Sequence, residues 1–134
     1  MVGRILPTFG DSATMIVNRF TERFGSMTAG AVLPEFLGRV PLVETGIDGV
    51  TARAIRGAML CMLFEFSKDV HVPEHSHGAQ FGVVVAGSLR VRKGAVVSQF
   101  RGGDSYLVKS GELHEAWIKQ GTVLIEFFED VDRY

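Results

Sequence analysis

The chain has almost no cysteine. Cys61 stands alone among 134 residues, so no disulfide can close within the chain, and a reducing cytoplasm is its simplest home. Charge of one sign is lacking too: 14 basic and 15 acidic residues leave a net charge of −1, with no block of like charge. That balance argues against nucleic acid or an anionic membrane as the main partner, because phosphate binding needs a concentrated basic surface. No apolar run is long enough to cross a bilayer, and the opening Met1-Val2-Gly3-Arg4-Ile5-Leu6-Pro7 lacks the apolar core of a signal peptide. Proline is scarce, at 4 residues, whereas glycine reaches 16. With frequent β-branched and aromatic runs, this composition suits many short strands joined by tight turns. A chain of this length makes one domain and buries roughly two thirds of its unfolded surface. The expectation is a soluble, cytoplasmic, all-β domain.

Two stretches differ in character. Residues 1–35 are punctuated by Pro7, Gly10, Gly25, Gly30 and Pro34, and Ile16, Phe20 and Phe24 recur at four-residue spacing behind a Ser12 cap. They read either as a loosely packed leader or as an arm that packs on the remainder or on a partner subunit. From Phe36 to Tyr134 the turn signals become regular. Strands are expected at Val50 to Ile55, Ala58 to Phe66, Phe81 to Ala86, Leu89 to Lys93, Val96 to Phe100, Ser105 to Val108, His114 to Ile118 and Val123 to Phe128. Eight or more short strands at this spacing indicate a sandwich or a closed barrel. Several are apolar on both faces: Phe81, Val83 and Val85 back onto Val84, and Leu124 and Phe128 onto Val123, Ile125 and Phe127. A barrel has one inner face, so the second apolar face needs a cover. That cover is the leader or a second subunit, and a homodimer with sheet-on-sheet contact is expected.

Glu74-His75-Ser76-His77-Gly78-Ala79-Gln80 places three candidate metal ligands within seven residues. Alternate side chains of an extended chain point the same way at about 3.3 Å per residue, so His75 and His77 are expected to face one side. A turn at Gly78-Ala79 would then bring Gln80 round to them, since glycine tolerates tight-turn angles. His114 is the expected fourth ligand. His71 shares odd-number parity with His75 and His77, but Pro73 intervenes, and it reads as a solvent-side histidine.

These residues resemble the cupin superfamily of small β-barrels. His75 and His77 match the paired histidines of the family's first motif, Gln80 stands at its acidic position, and Gly87 follows at its interval. Gly103, Gly111 and His114 match the second motif. Asp69, Lys109 and Ile118 replace the motifs' first glycine, proline and terminal asparagine. The resemblance covers roughly Phe36 to Tyr134. It implies a cupin-type double-stranded β-helix, a jelly-roll barrel, over residues 36–134 with residues 1–35 as an N-terminal extension.

On that reading His75, His77, Gln80 and His114 hold one divalent transition metal, and nitrogen and oxygen donors without thiolate suit Mn, Fe, Co, Ni, Cu or Zn alike. Three imidazoles and an amide form a neutral set. The ion would keep its full charge and favour chelating oxygens such as those of a uronate, a hydroxy acid or an enolised diketone. Met59, Tyr106, Lys109, Trp117 and Phe127 are candidates for the pocket wall. Gln80 cannot transfer protons, so any acid/base role falls to another residue, with Glu65, Tyr106, Glu112 and Glu126 as candidates that also have structural readings. The functions implied are a metal-dependent isomerase or lyase of uronates or sugar acids, as in pectin-degradation cupins, or a dioxygenase of diketones or flavonols. The alternatives are a non-catalytic metal-containing sensor of small molecules and a metal-free epimerase.

Overall fold

The computed structural model describes residues 32–134. The helix reading of the leader lies outside the described residues, and a short 3-10 turn spans Glu35–Arg39. The strands lie within one unit, Gly38–Tyr134. They are β1 (Leu42–Val43), β2 (Val50–Arg56), β3 (Leu60–Phe66), β4 (Val70–His75), β5 (Gln80–Ala86), β6 (Ser88–Lys93), β7 (Val96–Arg101), β8 (Ser105–Val108), β9 (His114–Ile118) and β10 (Val123–Phe128). The order β1-β2-β3-β10-β5-β8 makes one antiparallel sheet, and β4-β9-β6-β7 makes a second. The all-β expectation holds, and each expected strand falls within two residues of an observed one.

Alternation decides what lies between the sheets. From β3, Leu60, Met62, Phe64 and Phe66 enter the core, and they meet Leu124 and Phe128 of β10, Leu89 and Val91 of β6, and Ile118 of β9. Leu60 and Met62 are wholly buried, so truncating either to alanine costs about 2 to 5 kcal/mol. The opposite face of the larger sheet carries a cross-strand row in register, Ile55, Cys61, Phe127, Phe81 and Leu107. Ile55, Phe81 and Leu107 are exposed there, so the second apolar face read from the sequence exists in the fold.

Two departures from plain alternation shape the interior. On the inner face, Met62, Glu126, Gly82 and Tyr106 lie side by side across β3, β10, β5 and β8. A Cβ on Gly82 would sit 2.2 Å from Cζ of Tyr106. The bare glycine is what lets the phenol lie across β5 and reach Glu126. The second departure is in β4, an edge strand, where pairing with β9 runs Val70 to Ile118, His71 to Trp117 and Val72 to Ala116, then shifts before His75 meets His114. Three residues of β4 oppose two of β9, which is a bulge of one residue at Pro73-Glu74. It reverses the parity of the strand, so His75 shares the inner side with Val72 although His71 points out.

Candidate metal centre

His75 ends β4, His114 begins β9, and the two are register partners. The expectation that His77 extends the same strand is corrected: β4 stops at His75, and His77 lies in the loop of residues 76–79. Backbone contacts fix it there. Gly111 N–H donates to the His77 carbonyl at 2.7 Å, and the loop is clamped from the far side by Asp130 and Glu129, which accept from the N–H groups of Gly78 and Ala79, each at 2.8 Å. Gly78 does not adopt the left-handed backbone region. It is small because a Cβ would come within 2.5 Å of the Asp130 carboxylate.

The three imidazoles converge. Ring centroids are 4.3 Å apart for His75 and His114, 4.7 Å for His77 and His114, and 5.1 Å for His75 and His77. One ligand nitrogen of each lies within 4.8 Å of the others. Each ring is oriented by a backbone carbonyl: Nδ1–H donates to Pro73 O from His75 at 2.8 Å, to Gly78 O from His77 at 2.7 Å, and to Glu112 O from His114 at 2.8 Å. With the proton on Nδ1, each Nε2 offers a lone pair. The Nε2 atoms of His77 and His114 then face each other at 3.1 Å with no proton between two neutral rings. Two lone pairs repel at that distance unless a cation lies between them. Two nitrogens each about 2.1 Å from one ion and at right angles are about 3 Å apart, so the donor set fits a transition metal.

Burial keeps the rings of His77 and His114 neutral. Burial pushes His77 down to about 4, and the charges of Arg133, His114 and His75 push the same way against the opposing bond to Gly78. Burial also lowers His114, with the Glu112 carbonyl opposing. A neutral imidazole is the form that binds a metal.

Above the histidines, a cavity of about 70 Å³ is walled by apolar groups including Phe64, Leu124 and Phe128, with Gln80, Tyr106, Glu126 and Arg133 among its polar lining. Glu126 is buried, and its Oε2 accepts from the Gln80 amide and the Tyr106 hydroxyl. Burial raises the Glu126 carboxyl above its ordinary value despite these two bonds, and raises the Tyr106 phenol further.

Of the expected pocket residues, Tyr106 lines this cavity and four do not. Met59 is half exposed just before β3. Lys109 is exposed in the turn after β8, where its backbone N–H donates to Glu112 Oε1 at 3.0 Å. Trp117 faces outward, stacked on His71 with centroids 5.3 Å apart, and Phe127 faces the outer row, 6.5 Å from the Phe81 ring. Parity is the reason for the last two: His114, Ala116 and Ile118 point in on β9, and Leu124, Glu126 and Phe128 on β10. The same parity could have singled out Glu126. Glu65 pairs with Thr51 and Val123 and shares the parity of Cys61, away from the core row, and Glu112 is bound to Lys93 at 3.1 Å. Arg133 gave no sequence signal, because it lies beyond the last strand.

The two packed antiparallel sheets form a jelly roll, and comparison with solved structures finds the same fold in cupins. An RmlC-like cupin from Shewanella frigidimarina NCIMB 400 superposes with a TM-score of 0.60 at 22% identity, over 68% of this chain and 84% of that one. KdgF from Halomonas sp. gives 0.60 at 17% identity, over 71% of this chain and 91% of that one. A variant of Bacillus subtilis oxalate decarboxylase gives 0.61 at 16% identity over 73% of this chain, which spans 29% of that protein. No protein-family model and no curated protein matches the sequence.

Proposed function

We propose that this protein is a metal-dependent enzyme acting on a small, oxygen-rich substrate, either an isomerase or lyase of uronates or sugar acids or a dioxygenase of diketones. The observation that carries the reading is the arrangement of three imidazoles with every Nδ1–H engaged by a carbonyl and two Nε2 lone pairs facing across 3.1 Å. His75, His77 and His114 would hold the ion, with Gln80 as fourth ligand through its amide oxygen while its amide nitrogen donates to Glu126. A bound divalent metal supplies Lewis acidity toward substrate oxygens.

The chain's own residues supply the remainder. Gln80 has no proton to exchange, and proton transfer falls to Glu126, a carboxylate inside the cavity held in one orientation by Tyr106 and Gln80. Phe64, Leu124 and Phe128 keep bulk water from the reacting group. The cavity is well below the roughly 300 Å³ of the smallest drug-sized sites, which favours a small ligand, or one end of a larger one, over a flavonol. A buried carboxylate lining the same cavity as the three imidazoles also favours an enzyme over a passive sensor. The outer row of Ile55, Cys61, Phe127, Phe81 and Leu107 supports a homodimer packed through the larger sheet; sedimentation showing monomer alone at micromolar concentration removes that part.

Elemental analysis of protein purified without added metal, paired with a turnover screen over uronates, hydroxy acids and diketones, tests the reading. One transition metal per chain is expected, with turnover lost in step with metal on chelation. Full turnover in metal-free protein overturns it.

A further inference from the structure

The proposed chemistry leaves one charged group of the cavity unused. Arg133 lines the cavity from the turn after β10, and its Nε is buried with no hydrogen-bond partner. Among the described residues no carboxylate forms an ion pair with it. Its guanidinium carbon lies 5.5 Å from the Phe128 ring centroid and 5.2 Å from that of Tyr134, so aromatic faces hold the side chain in place. The turn is itself tied down: Arg56 of β2 donates from Nη1 to the Val131 carbonyl at 2.6 Å and from Nη2 to the Tyr134 backbone oxygen. The Tyr134 ring packs edge-on against Phe64 and Phe128.

The Tyr134 phenol and, at longer range, the Glu126 carboxyl feel the guanidinium. Its buried Nε nonetheless has no hydrogen-bond partner, and no carboxylate among the described residues closes an ion pair with it, which leaves it under-satisfied in the free protein. Its planar fork matches a carboxylate in two parallel hydrogen bonds, and its charge is felt at His77, His114 and Glu126, on the same side as the metal centre. Phosphate would satisfy the fork too, but the small cavity and the neighbouring Glu126 suit a smaller, singly charged group. We propose that Arg133 is an anion subsite of the cavity and that the ligand presents a carboxylate to it while its other oxygens face the histidines. This rests on the metal-centre reading for the second half only, and it separates the two substrate classes above: a sugar acid or hydroxy acid satisfies the arginine, whereas a neutral diketone leaves it unpaired.

The test is a thermal-shift and calorimetric titration of metal-loaded and chelator-stripped protein with three carboxylates, glycolate, pyruvate and D-galacturonate. Their neutral counterparts are ethylene glycol, acetone and D-galactose. At least one acid is expected to bind the wild type more tightly than its counterpart. Arg133→Gln should weaken that acid about tenfold to a hundredfold, the worth of a charge-assisted hydrogen bond, and Arg133→Lys should restore part of it. Metal content should stay unchanged in both variants and the melting temperature without ligand should not fall in Arg133→Gln, whereas a merely structural role for Arg133 would lower it. No preference for any acid, or a preference that survives Arg133→Gln, overturns the proposal. Acid selectivity that depends on Arg133 in a protein that never carries metal upholds the subsite and removes the metal reading; metal without such selectivity does the reverse.

Discussion

β4 and β9 carry histidines on both faces, and the two faces hold them by opposite ring nitrogens. Outside, His71 donates from Nε2 to Glu115 Oε2 at 2.6 Å and stacks on Trp117, whose other neighbour is Arg90 at 5.4 Å. Glu115 is also bound by Arg92. Inside, His75 and His114 donate from Nδ1 to carbonyls two residues before them in the chain, and their Nε2 atoms are left to converge with that of His77. The outer imidazole commits Nε2 to a carboxylate that Arg92 also binds, whereas the inner ones are oriented by the backbone through Nδ1 and turn Nε2 toward one another. The difference teaches that the nitrogen a histidine spends on its own scaffold decides whether it is structural or available to a ligand.

The contrast is broken most severely by removing an inner ring. His77→Ala is expected to lower metal affinity by more than the tenfold to hundredfold typical of losing an orienting partner and to abolish turnover, whereas His71→Ala should keep the full metal content; elemental analysis of the two variants decides. Next comes Glu126→Gln, which keeps the shape of the side chain. It should leave metal bound while cutting turnover about a hundredfold or more, so a variant with unchanged kcat would remove Glu126 from the chemistry.

Third, Gly82→Ala should destabilise the fold by about 1 to 3 kcal/mol, because its methyl enters the Tyr106 ring. Denaturant titration should show most of that loss relieved in a Tyr106→Val background. The smallest effect belongs to the outer network. The Arg92 guanidinium, and then His71, hold the Glu115 carboxyl below its ordinary range. Its stabilisation is therefore present above that range and lost as pH falls through and below it. The melting temperatures of wild type and Glu115→Gln should differ slightly near neutrality, by an amount that salt reduces, and converge in acid.

How far the sequence carried the reading follows from what each feature depends on. The strands were legible because glycine-marked turns and apolar runs are local. His75, His77 and His114 stood out as three of only 4 histidines at suggestive spacings. Simple alternation from His114 and Leu124 sends Trp117 and Phe127 outward, so aromatic character alone is no guide to the pocket wall. The route by which His75 reaches the interior was not legible, since parity alone aligned it with His71, and a bulge depends on pairing with β9. Arg133 was invisible for a related reason: what makes it notable is the missing partner of one buried nitrogen, a property of the assembled cavity.

The extra residue in β4 has an evolutionary corollary. Deleting a single codon at Pro73 or Glu74 would restore strict alternation with His75 two positions past Val72, so its ring would still face inward opposite His114. Flattening the bulge with both residues kept would instead send His75 to the solvent side beside His71. A lineage built on this barrel can therefore gain or lose one residue in this edge strand and keep the histidine in place, and relatives should be aligned by the strand position that faces His114 rather than by residue count.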